Sequence, residues 1–177
     1  LVGSEMCIRD SVDTMETDDG KLYVRVIDYK TGNTSFDLVS LYHGLQLQLM
    51  IYMDGALTVE QNKHKDKEVI PAGVFYYNIK DPMIQEKIDA DIETVQEKVL
   101  KELKMNGLVL KDKELVQKMD SSLVSIPVSF NKDGSFRKNS SVASKEQFDI
   151  LNRYVKTKIS HIRQSITVSY THLRAHE

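Results

Sequence analysis

Four side chains in the first third of the chain have the types and spacing to do chemistry on a charged substrate: Asp28, Lys30, Gln48 and Tyr52. Asp28 and Lys30 flank Tyr29 at the end of a run containing Tyr23, Val24, Val26 and Ile27, whose β-branched and aromatic content reads as a strand. Side chains alternate faces along a strand, so the acid and the amine share one face while Ile27 and Tyr29 take the other. Gln48 and Tyr52 are four apart within the run Leu38, Leu41, Leu45, Leu49, which has helical spacing, so the two stack on one helix face. A carboxylate and an ammonium on a strand end, followed by an amide and a phenol on a helix, make a candidate site for metal-assisted cleavage of a phosphodiester. Taken singly, each pair is ordinary for a solvated strand edge or the border of a core. The spacing supports the two pairs, not their convergence.

The elements that must position these groups follow from the same kind of reading. Val12 to Gly20 is the tail of a strand and an acidic turn at Asp18-Asp19-Gly20, and Lys21 to Tyr29 returns from it. Thr31-Gly32-Asn33 breaks that strand, and Asp37 caps the apolar helical run. His43 lies inside that run as a packing or polar-border residue; Thr58 to Glu68, with His64, is solvated surface. Pro71 to Ile79 reads as a strand begun by its proline, with aromatics for sheet packing, and Asp81-Pro82 as a turn.

Further along, Ile88, Ile92, Val95, Val99 and Leu103 predict an amphipathic helix ended by Asn106-Gly107, and a shorter helix is expected over Lys111 to Met119. Ser125 to Phe130 is expected to be an edge strand. Asn131 to Ser141 is a polar turn carrying Lys132, Arg137 and Lys138, better placed in solvent than on a phosphate backbone. Ser144 and Gln147 form a capping box for a last helix. Phe148, Leu151, Tyr154, Val155, Ile159 and Ile162 form its buried stripe, with Arg153, Lys156, Lys158 and Arg163 opposite. The fold class is α/β: a short mixed sheet carrying the site on its second strand, with helices on either side.

Composition narrows the function classes. The 177 residues hold 24 Lys and Arg against 26 Asp and Glu, so no global basic field advertises nucleic acid and any DNA contact must be local. The apolar cluster from Leu45 to Met53 is interrupted by Gln46, Gln48 and Tyr52, so no membrane span is expected. The one cysteine is Cys7; its scarcity is compatible with a reducing cytoplasm. No Walker-type phosphate loop is present, which excludes nucleotide hydrolysis by this segment.

The order Asp-Tyr-Lys at a strand end followed by a helical Gln-x-x-x-Tyr resembles the PD-(D/E)xK nucleases of the RecB type. The stretch from Val26 to Leu57, with Pro71 to Ile84 beyond it, is similar to the C-terminal nuclease domain of the AddB family, which belongs to the ATP-dependent helicase/deoxyribonucleases of Gram-positive bacteria. The similarity runs from about Val12 to Ile166. It implies a restriction-endonuclease-like core and hydrolysis of DNA by an exonuclease that processes double-strand breaks for recombinational repair. It also implies Mg²⁺ as cofactor and a helicase–nuclease partner (AddA) in a cytoplasmic heterodimer. On this resemblance Asp28 is a metal ligand, the Tyr29 carbonyl a further one, and Lys30 orients or activates the attacking water. Gln48 and Tyr52 brace the site or touch the DNA backbone. A catalytically inert nuclease-like scaffold that binds a helicase subunit or DNA is the rival reading, and the intact Asp-Tyr-Lys argues against it.

Two departures from the family pattern set limits. Its first metal-binding carboxylate falls at or near residue 10, with Asp13 matching a second acid that is not a ligand. Its 4Fe-4S cluster needs four cysteines, which this chain lacks. The ends fit nothing in the family. Leu1 to Ser11 and Val168 to Glu177 read as translations of opposite strands of one sequencing-adapter oligonucleotide, so Asp10 and Cys7 are given no role and the domain is expected over 12–167. The chain is therefore expected to be a partial nuclease domain without activity on its own.

Overall fold

The computed structural model describes residues 11–79 and 92–174. Among these residues, five strands form one mixed sheet in the spatial order of the sequence. β1 (Ser11–Glu16) and β2 (Lys21–Lys30) make an antiparallel hairpin, Ser11 pairing with Ile27 and Glu16 with Leu22. Gly20 supplies the left-handed backbone of its turn, φ 77°, as the Asp-Asp-Gly sequence requires. β3 (Glu68–Asn78) runs parallel to β2, and β4 (Asn106–Leu110) antiparallel to β3. A two-residue β5 (Val142–Ala143) closes the order, parallel to β4.

A parallel pair needs a crossover, and between β2 and β3 the chain makes it with two helices, α1 (Leu38–His43) and α2 (Gln48–Lys63). The single apolar run of the sequence is split here because Gly44 adopts φ 84° and its N–H folds back onto the Leu41 and Ser40 carbonyls, which ends α1. Leu38 and Leu45, which share the helical spacing of that run, are exposed, while Leu41, Leu49, Met50 and Met53 are buried. Burial of each of those four side chains contributes about 1.5–3 kcal/mol. α3 (Ile92–Glu102), α4 (Lys113–Met119) and the long α5 (Lys145–Arg174) complete the described fold.

Each face of the sheet is buried. Val24, Val26, Val74, Tyr76 and Leu108 face α2 and the start of α5, where Phe148 and Val155 enter the same core. Ile27, Phe75 and Val109 face the opposite way, against Val116 of α4 with Ile126 and Val128. β2 therefore has a neighbouring strand on each side and a packed layer on each face, which is why Asp28, two residues from its end, is drawn out of water. This is the mixed, helix-flanked α/β sheet expected from the sequence.

Several local expectations need correction. Asn106-Gly107 does not end a helix but opens β4; a Cβ at Gly107 would lie 1.9 Å from the Val74 carbonyl oxygen, so the residue answers to strand contact rather than capping. Ile92 is exposed and the part of the expected helix before it, like Asp81-Pro82, lies outside the described residues. Pro71 sits inside β3, not at its start. It is tolerated because β4 pairs only with Gly73 to Tyr76, leaving Pro71 bonded on one side, beside the register shift at Val24/Arg25. Ser125 to Phe130 is irregular, with an isolated bridge from Phe130 to Phe136, although Ile126 and Val128 are buried. In α5 the Ser144–Gln147 capping box forms as expected, but Ile159 and Ile162 are exposed. Among the described residues, buried Asp28 is the exception to an otherwise apolar interior.

Candidate active site

Asp28 and Lys30 leave the end of β2 on the α2 face, in line with Val24 and Val26, as strand alternation requires. The Asp28 side chain is 0% exposed, and Lys30 Nζ lies 2.9 Å from its Oδ2. The ammonium also donates to Gln48 Oε1 at 3.0 Å, and Gln48 Nε2 donates to the Tyr52 hydroxyl at 2.7 Å. A strand residue pair and a helix residue pair thus meet in one relay of carboxylate, ammonium, amide and phenol. Gln48 opens α2, and one helical turn brings Tyr52 over it.

Tyr76 on β3 stands opposite Asp28 in the register and forms a wall of the site, its ring centroid 5.7 Å from Lys30 Nζ. Burial, and secondarily the Asp28 charge, push its phenol up to about 12. The sequence assigns Tyr76 to sheet packing ahead of base stacking; the register that sets it against Asp28 depends on β3 pairing, which composition does not encode. Tyr29 points away from the relay, its ring edge-on to Tyr77 at 5.6 Å and packed against the second core cluster.

The loop that carries the chain from Lys30 to the helices is fastened by three amides. Asn78 receives the Thr34 N–H at 3.1 Å and donates to the Thr34 carbonyl at 3.0 Å. Asn106 receives the Phe36 N–H at 2.6 Å and donates to the same Thr34 carbonyl at 2.9 Å. Gln46 receives the Asp37 N–H and donates to the Ser35 carbonyl. Asp37 caps α1 through the amides of Val39 and Ser40 and the Ser40 hydroxyl, which hold its carboxyl below the usual range. None of the three clamping amides stands out in the sequence; the one available signal is an asparagine at the end of each of two adjacent strand segments.

Other candidates lie elsewhere. His43 is exposed on α1, its ring 5.3 Å from Tyr42, and His64 is 3.6 Å from Glu60. Asp13 pairs with Arg25 across the β1–β2 ladder at 2.6 Å, in keeping with a non-ligand acid. Arg137 bonds the Phe130 carbonyl in its own turn, and Lys156 pairs with Asp54. Asp10 and Cys7 lie outside the described residues.

The chemistry of the donor set suits a hard divalent cation at one point. Both Asp28 carboxylate oxygens are buried and accept no hydrogen bond, Lys30 being near in distance but not aligned as a donor. Buried polar atoms are nearly always hydrogen-bonded, and an orphaned carboxylate is the oxygen donor that Mg²⁺-type ions prefer. No group of three or more His, Cys, Asp or Glu able to hold a metal occurs among the described residues. An iron–sulfur cluster does not fit this chain, whose single cysteine cannot supply the thiolates it needs. No helix among the described residues is long and apolar enough to cross a membrane.

Comparison with known proteins points the same way as the geometry. The family model described as "PD-(D/E)XK nuclease superfamily" matches residues 5–174. A protein of Lachnoclostridium phytofermentans, named as a subunit of an ATP-dependent helicase/deoxyribonuclease, is 42% identical over 170 residues, covering 89% of this chain and 14% of its own length. Proteins of the same name from Clostridioides difficile and Clostridium novyi are 43% and 45% identical, each over 85% of this chain and 13% of their own. The chain thus spans about a seventh of the length of the curated relatives it matches.

Proposed function

This chain belongs to the PD-(D/E)XK nuclease superfamily, and on that footing we propose that it is part of the DNA-cutting domain of an AddB-type helicase–deoxyribonuclease protein. The whole enzyme, in this reading, is a Mg²⁺-dependent exonuclease that works with a helicase partner of the AddA type on broken DNA ends for recombinational repair in the cytoplasm. The observation that carries the reading is the buried, hydrogen-bond-orphaned Asp28 carboxylate beside a Lys30 held by Gln48 and Tyr52.

Asp28, with the Tyr29 carbonyl beside it in the chain, would hold the cation. A bound divalent ion supplies Lewis-acid stabilisation of charge on the phosphate. Lys30 orients the attacking water and offsets negative charge that grows on the phosphate oxygens, in a setting where burial strengthens both effects. Gln48 and Tyr52 fix the ammonium by taking up one of its donors, and the Tyr76 wall excludes solvent from one side. The relay is preorganised because its strand and helix are tied together by the clamped loop 31–37. The described residues provide one carboxylate of the ligand set, so the 177-residue chain alone is expected to be inactive.

The test is made in the full-length protein in complex with its helicase partner. Asp28→Ala is expected to slow degradation of the DNA strand assigned to this domain by roughly a hundredfold or more, while ATP-driven unwinding continues. Undiminished degradation would make this domain an inert scaffold for the partner or for DNA.

A further inference from the structure

α1 and the turn that follows it expose an apolar and aromatic ridge that no part of the described fold covers. Tyr42 is 62% exposed and Leu45 78%, with Leu38 and Val39 also open to solvent. Tyr42 is nonetheless held in place. Its ring stacks on Tyr154 of α5, centroids 5.7 Å apart at 11° between planes, and the Tyr154 hydroxyl donates to the Tyr42 carbonyl at 2.5 Å. The His43 ring stands edge-on to it.

One cation stands beside the ridge. Lys158, one turn beyond Tyr154 on α5, lies so near α1 that a Cβ at Gly44 would meet its Cε at 3.3 Å. The acid on the same helix, Asp37, lies at its opposite end, turned onto the amides of Val39 and Ser40. The ridge is also within reach of the relay. Tyr42 is six residues from Gln48, which bounds their separation at roughly 20 Å of extended chain, and the helical turn of α1 shortens it.

We propose that Tyr42 is a stacking platform for a base of a single-stranded nucleic acid, with Lys158 taking an adjacent phosphate, so that the strand is held a few nucleotides from Asp28. A rigid, exposed ring beside a cation is the combination that binds single strands without reading sequence. The proposal rests on the nuclease reading for its substrate, but its test does not depend on cleavage.

Binding of a short fluorescent oligothymidylate to the 177-residue chain is measured by anisotropy in the presence of a chelator, and contacts are mapped by photo-crosslinking of an iodouridine-substituted strand. Tyr42→Ala is expected to weaken binding on the order of tenfold, Tyr42→Phe to leave it unchanged, and the wild-type crosslink to fall on Tyr42. Absence of binding by the wild type, equal binding by Tyr42→Ala, or a crosslink confined to other elements would each overturn the platform. So would self-association of the chain that Tyr42→Ala abolishes, which would make the ridge a contact between copies. If Asp28→Ala spares degradation in the full-length complex while Tyr42→Ala loses binding, the platform stands and the nuclease reading falls; the reverse pattern separates them the other way.

Discussion

Asp28 is a carboxylate in the wrong solvent. Both oxygens are buried and accept no hydrogen bond, and Lys30 is their counter-ion. Removing a charge from water costs several kcal/mol, which one imperfectly aligned ammonium offsets in part. Such a group is better explained by what it must hold than by what it contributes to folding. Tyr76 reports on it directly, since its phenol is pushed up to about 12 by burial first and by the Asp28 charge second. A raised phenol stays protonated in the fold while the unfolded chain ionises near 10, so folding stability falls as pH rises from about 10 towards 12. Asp28→Asn is expected to bring the Tyr76 transition down while leaving it above the ordinary tyrosine value. Spectrophotometric titration of the chain and the variant would show it. An unchanged transition would mean that Asp28 carries no charge that Tyr76 feels.

The connection between β2 and α2 decides whether the four chemical side chains meet. Asn78 and Asn106 reach it from the ends of adjacent strands, bonding the Thr34 and Phe36 amides and converging on one Thr34 carbonyl. Asn78→Ala and Asn106→Ala should each cost about 1–2 kcal/mol, since a buried or half-buried amide loses its partner. Each should also speed hydrogen exchange selectively, at Thr34 for the first and at Phe36 for the second. Exchange by NMR would distinguish the clamp from a global loss of stability, which would raise exchange everywhere; no selective change would contradict the clamp.

What sequence can foresee here divides along physical lines. Asp28/Lys30 and Gln48/Tyr52 are legible because strand and helix periodicity are local. The Asn-Gly at 106–107 misleads because the same dipeptide suits a helix end and a strand that must approach its neighbour closely. Only the position of Val74 decides between them. Gly44 is visible as a glycine, yet nothing local distinguishes a glycine inside a helix from one that ends it at φ 84°.

Taken whole, the molecule is a sheet with two covered faces and a rim, at the end of β2, that carries the candidate site. The α/β class and the hairpin that starts it are readable from turn residues and alternation. The strand order, the short β5 and the exposure of Ile159 and Ile162 are not, because they depend on partners distant in the chain. Relatives several times longer share this stretch, and the described residues give the cation one carboxylate, so the complete site belongs to a larger polypeptide in the reading proposed above. The most direct test is anomalous X-ray scattering from crystals of the full-length protein soaked with Mn²⁺ in place of Mg²⁺. A peak is expected about 2.1 Å from an Asp28 carboxylate oxygen, with Lys30 still bonded to Gln48, and no such peak in Asp28→Asn. A manganese site elsewhere, with Asp28 remaining paired to Lys30 alone, would contradict it.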